Sequence, residues 1–166
     1  MREQLTEKDV ERIEAEIEHR KLVVRKEAIE AVKEARAHGD LSENFEYHAA
    51  KKDKNKNESR IRYLERMLRT AEIISEDSAA DEVGLNNTVT LYFEEDDESE
   101  EFRLVTSIRG NSLKNLISIE SPLGKAVYGR KIGERVLVPV GDGGYYVEIR
   151  EIKKTGDDGS DTIRSY

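Results

Sequence analysis

The chain has no cysteine and no tryptophan, and only three phenylalanines and two prolines, in 166 residues. Without cysteine there is no disulfide scaffold, no thiolate zinc centre and no cysteine nucleophile. No apolar run approaches the roughly 18 residues that a membrane helix needs. The N-terminus opens on charged residues rather than an apolar leader, so a soluble, cytoplasmic protein is expected. There is no internal repeat, no Walker loop and no dinucleotide-binding glycine motif.

What is abundant is charge. Charged residues make up 39% of the chain against 36% hydrophobic ones, and the net charge is −8. That balance predicts either disorder or an element with two solvated sides, such as a long helical hairpin. The two halves then part company. Residues 1–80 are nearly balanced, with a net of −2, contain no proline, and have Gly39 as their only glycine. Residues 81–166 carry a net of −6.

In the first half, Val10, Ile13, Ile17, Val24, Ala28, Ala31 and Ala35 recur at three- and four-residue steps, with Arg20 in the gap. That spacing predicts an amphipathic helix with a heptad-like stripe. Thr6 and Asp9 suit its first turn as a capping box. A second stripe runs Tyr47, Ala50, Lys54, Asn57, Ile61, Leu64, Leu68 and Ala71, apolar at its ends and polar in its middle. Two such helices with one glycine between them read as an antiparallel hairpin. Each helix of about 30 residues would extend roughly 45 Å at 1.5 Å per residue. The plainest use of such a hairpin is coiled-coil oligomerisation.

After a polar break at 73–87 the period changes to two. Strands are expected around 89–93, 102–106, 116–119, 135–140 and 145–152. Glu94–Glu101, with seven acids in eight residues, reads as a solvated hairpin connection. Asp142-Gly143 reads as a tight hairpin turn, and Ser121-Pro122-Leu123-Gly124 as the start of a short helical segment. The tail 155–166 is polar and rich in Gly and Asp, and is expected to be disordered.

The hairpin tip carries the most chemistry. Asp40 and Glu43 are three residues apart. The plain reading makes Asp40 the N-cap of the second helix and Glu43 its partner in a capping box. A sharper reading makes the two carboxylates part of a magnesium site whose remaining ligands come from a partner, because magnesium takes hard oxygen donors and keeps few from any one protein. The readings are compatible, since a capping carboxylate keeps a second oxygen. His38 and His48 lack a histidine four residues away and do not read as ligands. Tyr47 falls on the helix stripe and reads as packing rather than as a hydroxyl presented at the tip. Just beyond it the charge reverses: residues 51–69 hold eight basic and three acidic residues, a local net of +5. A solvated helix face is the simplest account. Beside a carboxylate tip, the same run would attract a nucleic-acid strand through its phosphates. Phe45 and Tyr47 are too few for a stacking platform that reads sequence.

The block GDLSENFEYHAAK resembles the tip signature of the bacterial Gre transcript cleavage factors, GreA and GreB. Leu116-Ile117-Ser118 followed by Ser121-Pro122-Leu123-Gly124-Lys125-Ala126 resembles the second signature of that family. The resemblance covers about residues 5–152. It implies an α+β chain: an N-terminal long antiparallel coiled-coil hairpin (1–76) and a C-terminal FKBP-like β-sheet domain (77–154) that docks on RNA polymerase. It further implies a monomeric factor that binds bacterial RNA polymerase at the rim of its secondary channel. There it would stimulate the polymerase's own cleavage of backtracked 3′ RNA, without being an enzyme itself. On that resemblance Asp40 and Glu43 are the tip acids that position magnesium, bound only together with the polymerase active site; no cofactor is expected on the chain alone. Arg36, Lys51 and Lys52 correspond to the basic patch facing the 3′ end of the nascent RNA. Glu120, Ser121 and Pro122 correspond to the polymerase-docking segment, and Ser42 to a variable residue between the acids.

The sequence departs from the family pattern at Lys26, where many relatives have proline, and at Phe45, where a small residue is common. Features of both GreA and GreB types are mixed. An inhibitory Gre homologue is the nearest alternative function. A peptidyl-prolyl isomerase, suggested by the fold alone, is disfavoured by the scarcity of aromatics, and a purely structural coiled-coil adaptor would be indifferent to its tip acids.

Overall fold

The computed structural model describes residues 2–40 and 43–165. It divides into two compact units: one is built mainly from Asp9–Ala71, the other from Glu3–Lys8 together with the chain from Glu72 onward. A short strand near the N-terminus thus belongs to the second unit.

The first unit is the helical hairpin. Helix α1 (Glu7–His19) begins directly after Thr6. It continues without a break through five residues of π-helix, Arg20–Val24, into α2 (Arg25–Arg36). The return helix is α3 (Phe45–Thr70). The pairing is antiparallel: Glu16 meets Arg60, Arg20 meets Asn57, and Ala35 meets Asn44. At the end remote from the tip, Ile13, Ile61, Leu64 and Met67 are buried, each contributing about 1.5–3 kcal/mol for a fully enclosed side chain. In the half nearer the tip, Ala35 is the only buried apolar residue among the described ones.

Between those halves lies a polar layer, which is where both sequence stripes lost their apolar residues. Asn57, almost fully buried, donates through Nδ2 to the Arg20 carbonyl at 3.2 Å and accepts from Arg20 Nη1 at 3.0 Å. The Arg20 carbonyl also accepts from the Arg25 amide, the i to i+5 bond of the π turn. The π turn shifts the phase of the following helix by one residue. Ala31, expected on the buried stripe, is exposed, and Val32 is half-buried in its place. Glu16 joins the layer through Arg20 at 2.7 Å and Arg60 at 2.9 Å. Burial alone would raise the Glu16 carboxyl, but the hydrogen bonds from Arg60 and Arg20, with their charges, bring it below its ordinary range. A paired Asn at such a position favours one register of the two helices.

The second unit holds a five-stranded sheet in the order β5-β4-β3-β7-β6, and a separate two-stranded pair. The pair is β1 (Gln4–Leu5) alongside β2 (Glu72–Ile73), in parallel. In the large sheet, β3 (Thr88–Phe93) and β4 (Glu98–Val105) form a hairpin. The strand β5 (Leu116–Ser118) joins β4 in parallel, and β6 (Arg135–Val140) and β7 (Gly143–Lys153) form a second hairpin. All five expected strands are present. Alternation works as anticipated: Val89, Leu91, Val136, Val138, Val147 and Ile149 point into one cluster with Leu104, Ile119 and Val127. The acidic stretch is divided, with the turn confined to Glu94–Asp97 and Glu98–Glu101 paired within β4. The second hairpin turns on Gly141-Asp142, one residue earlier than expected, with Gly141 at φ +57°, a backbone state that glycine adopts at little cost.

The tail makes its own contacts. Residues 155–165 lie on the sheet unit. Arg109 is enclosed, and its Nη1 lies 3.0 Å from Asp161 and 3.9 Å from Asp157, while donating to Asn86 at 2.6 Å. Arg103 also bonds Asp161. Arg164 bonds Glu3, and Lys8 donates to the Asp157 carbonyl at 2.7 Å. A buried cation needs counter-charge, and the acids that make the tail look disordered in composition supply it. No helix among the described residues is long and apolar enough to cross a membrane.

Candidate functional site: the hairpin tip

The tip is built by chain reversal. Helix α2 ends at Arg36, with the Ala37 amide bonding back to Lys33 and Glu34 and the His38 amide to Ala35. Gly39 follows at φ +130° with open space where a Cβ would stand, so its role is conformational. Leu41 and Ser42 lie outside the described residues, and with them the variable position between the acids. The chain is described again at Glu43, immediately before the cap of α3.

That cap is Asn44, not Asp40. Asn44 Oδ1 accepts from the Tyr47 amide at 3.0 Å, and Nδ2 donates to the Ala35 carbonyl at 2.6 Å. One side chain thus satisfies an orphan amide of α3 and fastens it to the end of α2. The capping reading of Asp40 and Glu43 is corrected accordingly: both precede the helix, and both are exposed. The signal for Asn44 was available, since asparagine is as good a cap as aspartate.

Around this turn the basic residues sort into two groups. The Arg36 guanidinium lies 5.6 Å from the centre of the Tyr47 ring. The Tyr47 hydroxyl is lowered from its ordinary pKa, first by hydrogen bonding with Arg36 and then by the charge of Lys51. Arg36 and Lys51 therefore share a neighbourhood with a half-buried Tyr47 between them. Lys52 is exposed and falls on the helix face that also bears Phe45 and His48, at seven and four residues' remove. His38 contacts Glu46 at 2.9 Å across the tip.

As for metal binding, among the described residues no group of three His, Asp or Glu side chains comes together. Two exposed carboxylates fit part of the oxygen shell of a divalent ion and would leave most of its positions to water or to a partner.

The second candidate segment lies in the sheet unit. Ser121 caps the short helix α4 (Pro122–Val127): its hydroxyl accepts from the Gly124 amide at 3.1 Å and donates to the Ser118 carbonyl at 2.7 Å. A Cβ on Gly124 would stand 1.9 Å from the Ser118 carbonyl oxygen, so no other residue fits there. Of the three expected docking residues, Ser121 is occupied internally, Glu120 is half-buried and Pro122 is exposed. Sequence reading missed the polar layer of the hairpin and the Arg109–Asp157–Asp161 cluster, because both join residues distant in sequence.

Comparison with known proteins places the whole arrangement in context. Residues 3–73 match the family model "Transcription elongation factor, N-terminal". Residues 76–154 match "Transcription elongation factor, GreA/GreB, C-term". The chain is 43% identical over 151 residues to transcription elongation factor GreA of Thermoanaerobacter pseudethanolicus, covering 90% of this chain and 96% of the relative. It is 40% identical over 152 residues to GreA of Streptococcus pneumoniae, covering 91% and 95%. Among solved structures, GreA factor homolog 1 (Gfh1) of Thermus thermophilus is 27% identical, with a TM-score of 0.43 over 92% of this chain and 99% of that one.

Proposed function

We propose a role for this chain from one premise: it belongs to the GreA/GreB family of transcription elongation factors. We infer that it binds bacterial RNA polymerase and carries the hairpin tip into the secondary channel. There it stimulates the polymerase's hydrolysis of backtracked 3′ RNA. The observation that carries this reading is the use of Asn44. Asn44 is the cap that closes the tip, and Asp40 and Glu43 both precede α3 with exposed side chains at the end of the two-helix element.

In this role Asp40 and Glu43 would hold magnesium jointly with the polymerase. When bound, that ion supplies an activated water or stabilises the leaving oxygen in phosphodiester cleavage. The chain's own contribution is to deliver two carboxylates without a competing cage, so that affinity for the ion stays weak until polymerase groups complete it. Arg36 and Lys51 would take the phosphates of the extruded RNA through charge, without reading sequence. Pro122, exposed beside Glu120, offers the docking contact in the sheet unit, while Ser121 shapes the turn that presents it.

The test is RNA cleavage in a stalled, backtracked polymerase complex with magnesium. The intact protein is expected to accelerate cleavage, and Asp40→Asn/Glu43→Gln to lose at least tenfold of that acceleration while still binding polymerase. Loss of binding together with activity would overturn the separation of tip from docking segment. No acceleration, accompanied by slower nucleotide addition, would assign the chain to the inhibitory branch instead.

A further inference from the structure

Phe45 opens α3 directly after the Asn44 cap, and its ring is 88% exposed. Isolated apolar residues on a surface are ordinary, but the setting of this one is not. Side chains on a helix lean toward its N-terminus, so a ring in the first turn leans off the helix end, toward the tip acids. His48 and Lys52 follow on the same exposed face. An aromatic face beside a cation such as Lys52 is the combination that holds single-stranded nucleic acid, by stacking on bases and pairing with phosphates.

We propose that Phe45 is a substrate-contacting residue that stacks on the base of the unpaired 3′-terminal RNA nucleotide. The proposal rests on the cleavage-factor reading and deepens it. Lys52, seven residues on, sits about 10 Å further along the helix at 1.5 Å per residue, within reach of a phosphate of the same strand. The contact is a stack and not an edge readout. The Asn44 amide is already used by the Tyr47 amide and the Ala35 carbonyl, and Glu46 is engaged by His38. A lone ring accepts any base face, so the stack carries no base preference. Phe45 then steadies the strand end against the carboxylates, where small displacements of a reacting group cost rate.

The experiment crosses the protein with its substrate. Backtracked complexes are prepared with an intact 3′-terminal nucleotide or with an abasic one, and cleavage is followed with the intact protein, Phe45→Ala, Phe45→Trp and Asp40→Asn/Glu43→Gln. On the intact nucleotide, Phe45→Ala is expected to slow stimulated cleavage about tenfold, the order of a lost base stack, and Phe45→Trp to retain the rate. On the abasic nucleotide the intact protein and Phe45→Ala should act alike. Equal rates for the two on the intact nucleotide would overturn the proposal. So would an equal loss on both substrates, which would assign the ring to a protein surface of the polymerase. If the intact protein accelerates cleavage and the acid variant does not, failure of the Phe45 result leaves the functional reading standing. If the intact protein accelerates nothing, both fall.

Discussion

The hairpin tip and the Ser121–Gly124 turn both fall in the segments that resemble the Gre signatures, and they use their polar residues in different ways. In the turn the Ser121 side chain is engaged internally. The Ser121 hydroxyl both donates and accepts, and Gly124 lacks a side chain because the Ser118 carbonyl stands where one would be. At the tip Asn44 caps the helix, and the acids on its N-terminal side lie on the exposed surface. A recurring motif can therefore record a constraint of folding or an exposed chemistry. Hydrogen-bond accounting tells which.

The contrast can be broken from the turn side first. Gly124→Ala should cost about 3 kcal/mol or more, since backbone must move to admit the Cβ, and urea unfolding of the variant would show it. A midpoint unchanged from the parent would mean that the turn yields, and that Gly124 is there for another reason. Glu43 makes the matching control: Glu43→Gln should leave unfolding unchanged within about 0.5 kcal/mol, as for other exposed sites.

Asn44→Ala should have the next largest effect, about 1–2 kcal/mol for a lost cap and a lost cross-helix bond. Amide exchange would localise it, with protection falling in the first turn of α3. Undiminished protection there would show that another group caps the helix.

The smallest effect sharpens the comparison within the hairpin, between the exposed tip and the polar layer. Glu16→Gln should cost about 1 kcal/mol at neutral pH through weakened bonds to Arg20 and Arg60. The Glu16 carboxyl is lowered in the folded protein, so its contribution is present above the unfolded glutamate's pKa and is lost as pH falls through the folded value. The gap between parent and variant should therefore close on acidification. A gap that widened would contradict the assigned charge state.

Local pattern made much of this legible. Alternation gave five strands because Val89/Leu91, Val136/Val138 and Val147/Ile149 each bury one face. Three- and four-residue spacing gave both helices, because Ile13, Ile61 and Leu64 must face each other. The acids at the tip were legible as chemistry. The identity of the cap was not, because Asp40 and Asn44 are equally good caps and only the helix start at Phe45 decides between them. The π turn was hidden for a related reason. Arg20 looks like a polar interruption until Asn57, 37 residues away, is seen to bond its carbonyl. The tail's contacts were not legible, because composition measures what a segment lacks and says nothing of the buried Arg109 beside its acids.

That same cluster has a consequence for the order in which the protein takes shape. Arg109 and Asp161 are 52 residues apart in the chain, and the family match ends at residue 154, before either tail acid. During synthesis the guanidinium is made well ahead of the carboxylates that neutralise it. Until Asp157 and Asp161 have left the ribosome, a cation occupies a site that favours counter-charge. The sheet can form its hairpins early, from neighbours in sequence, but the Arg109 site is neutralised only once Asp157 and Asp161 have been made.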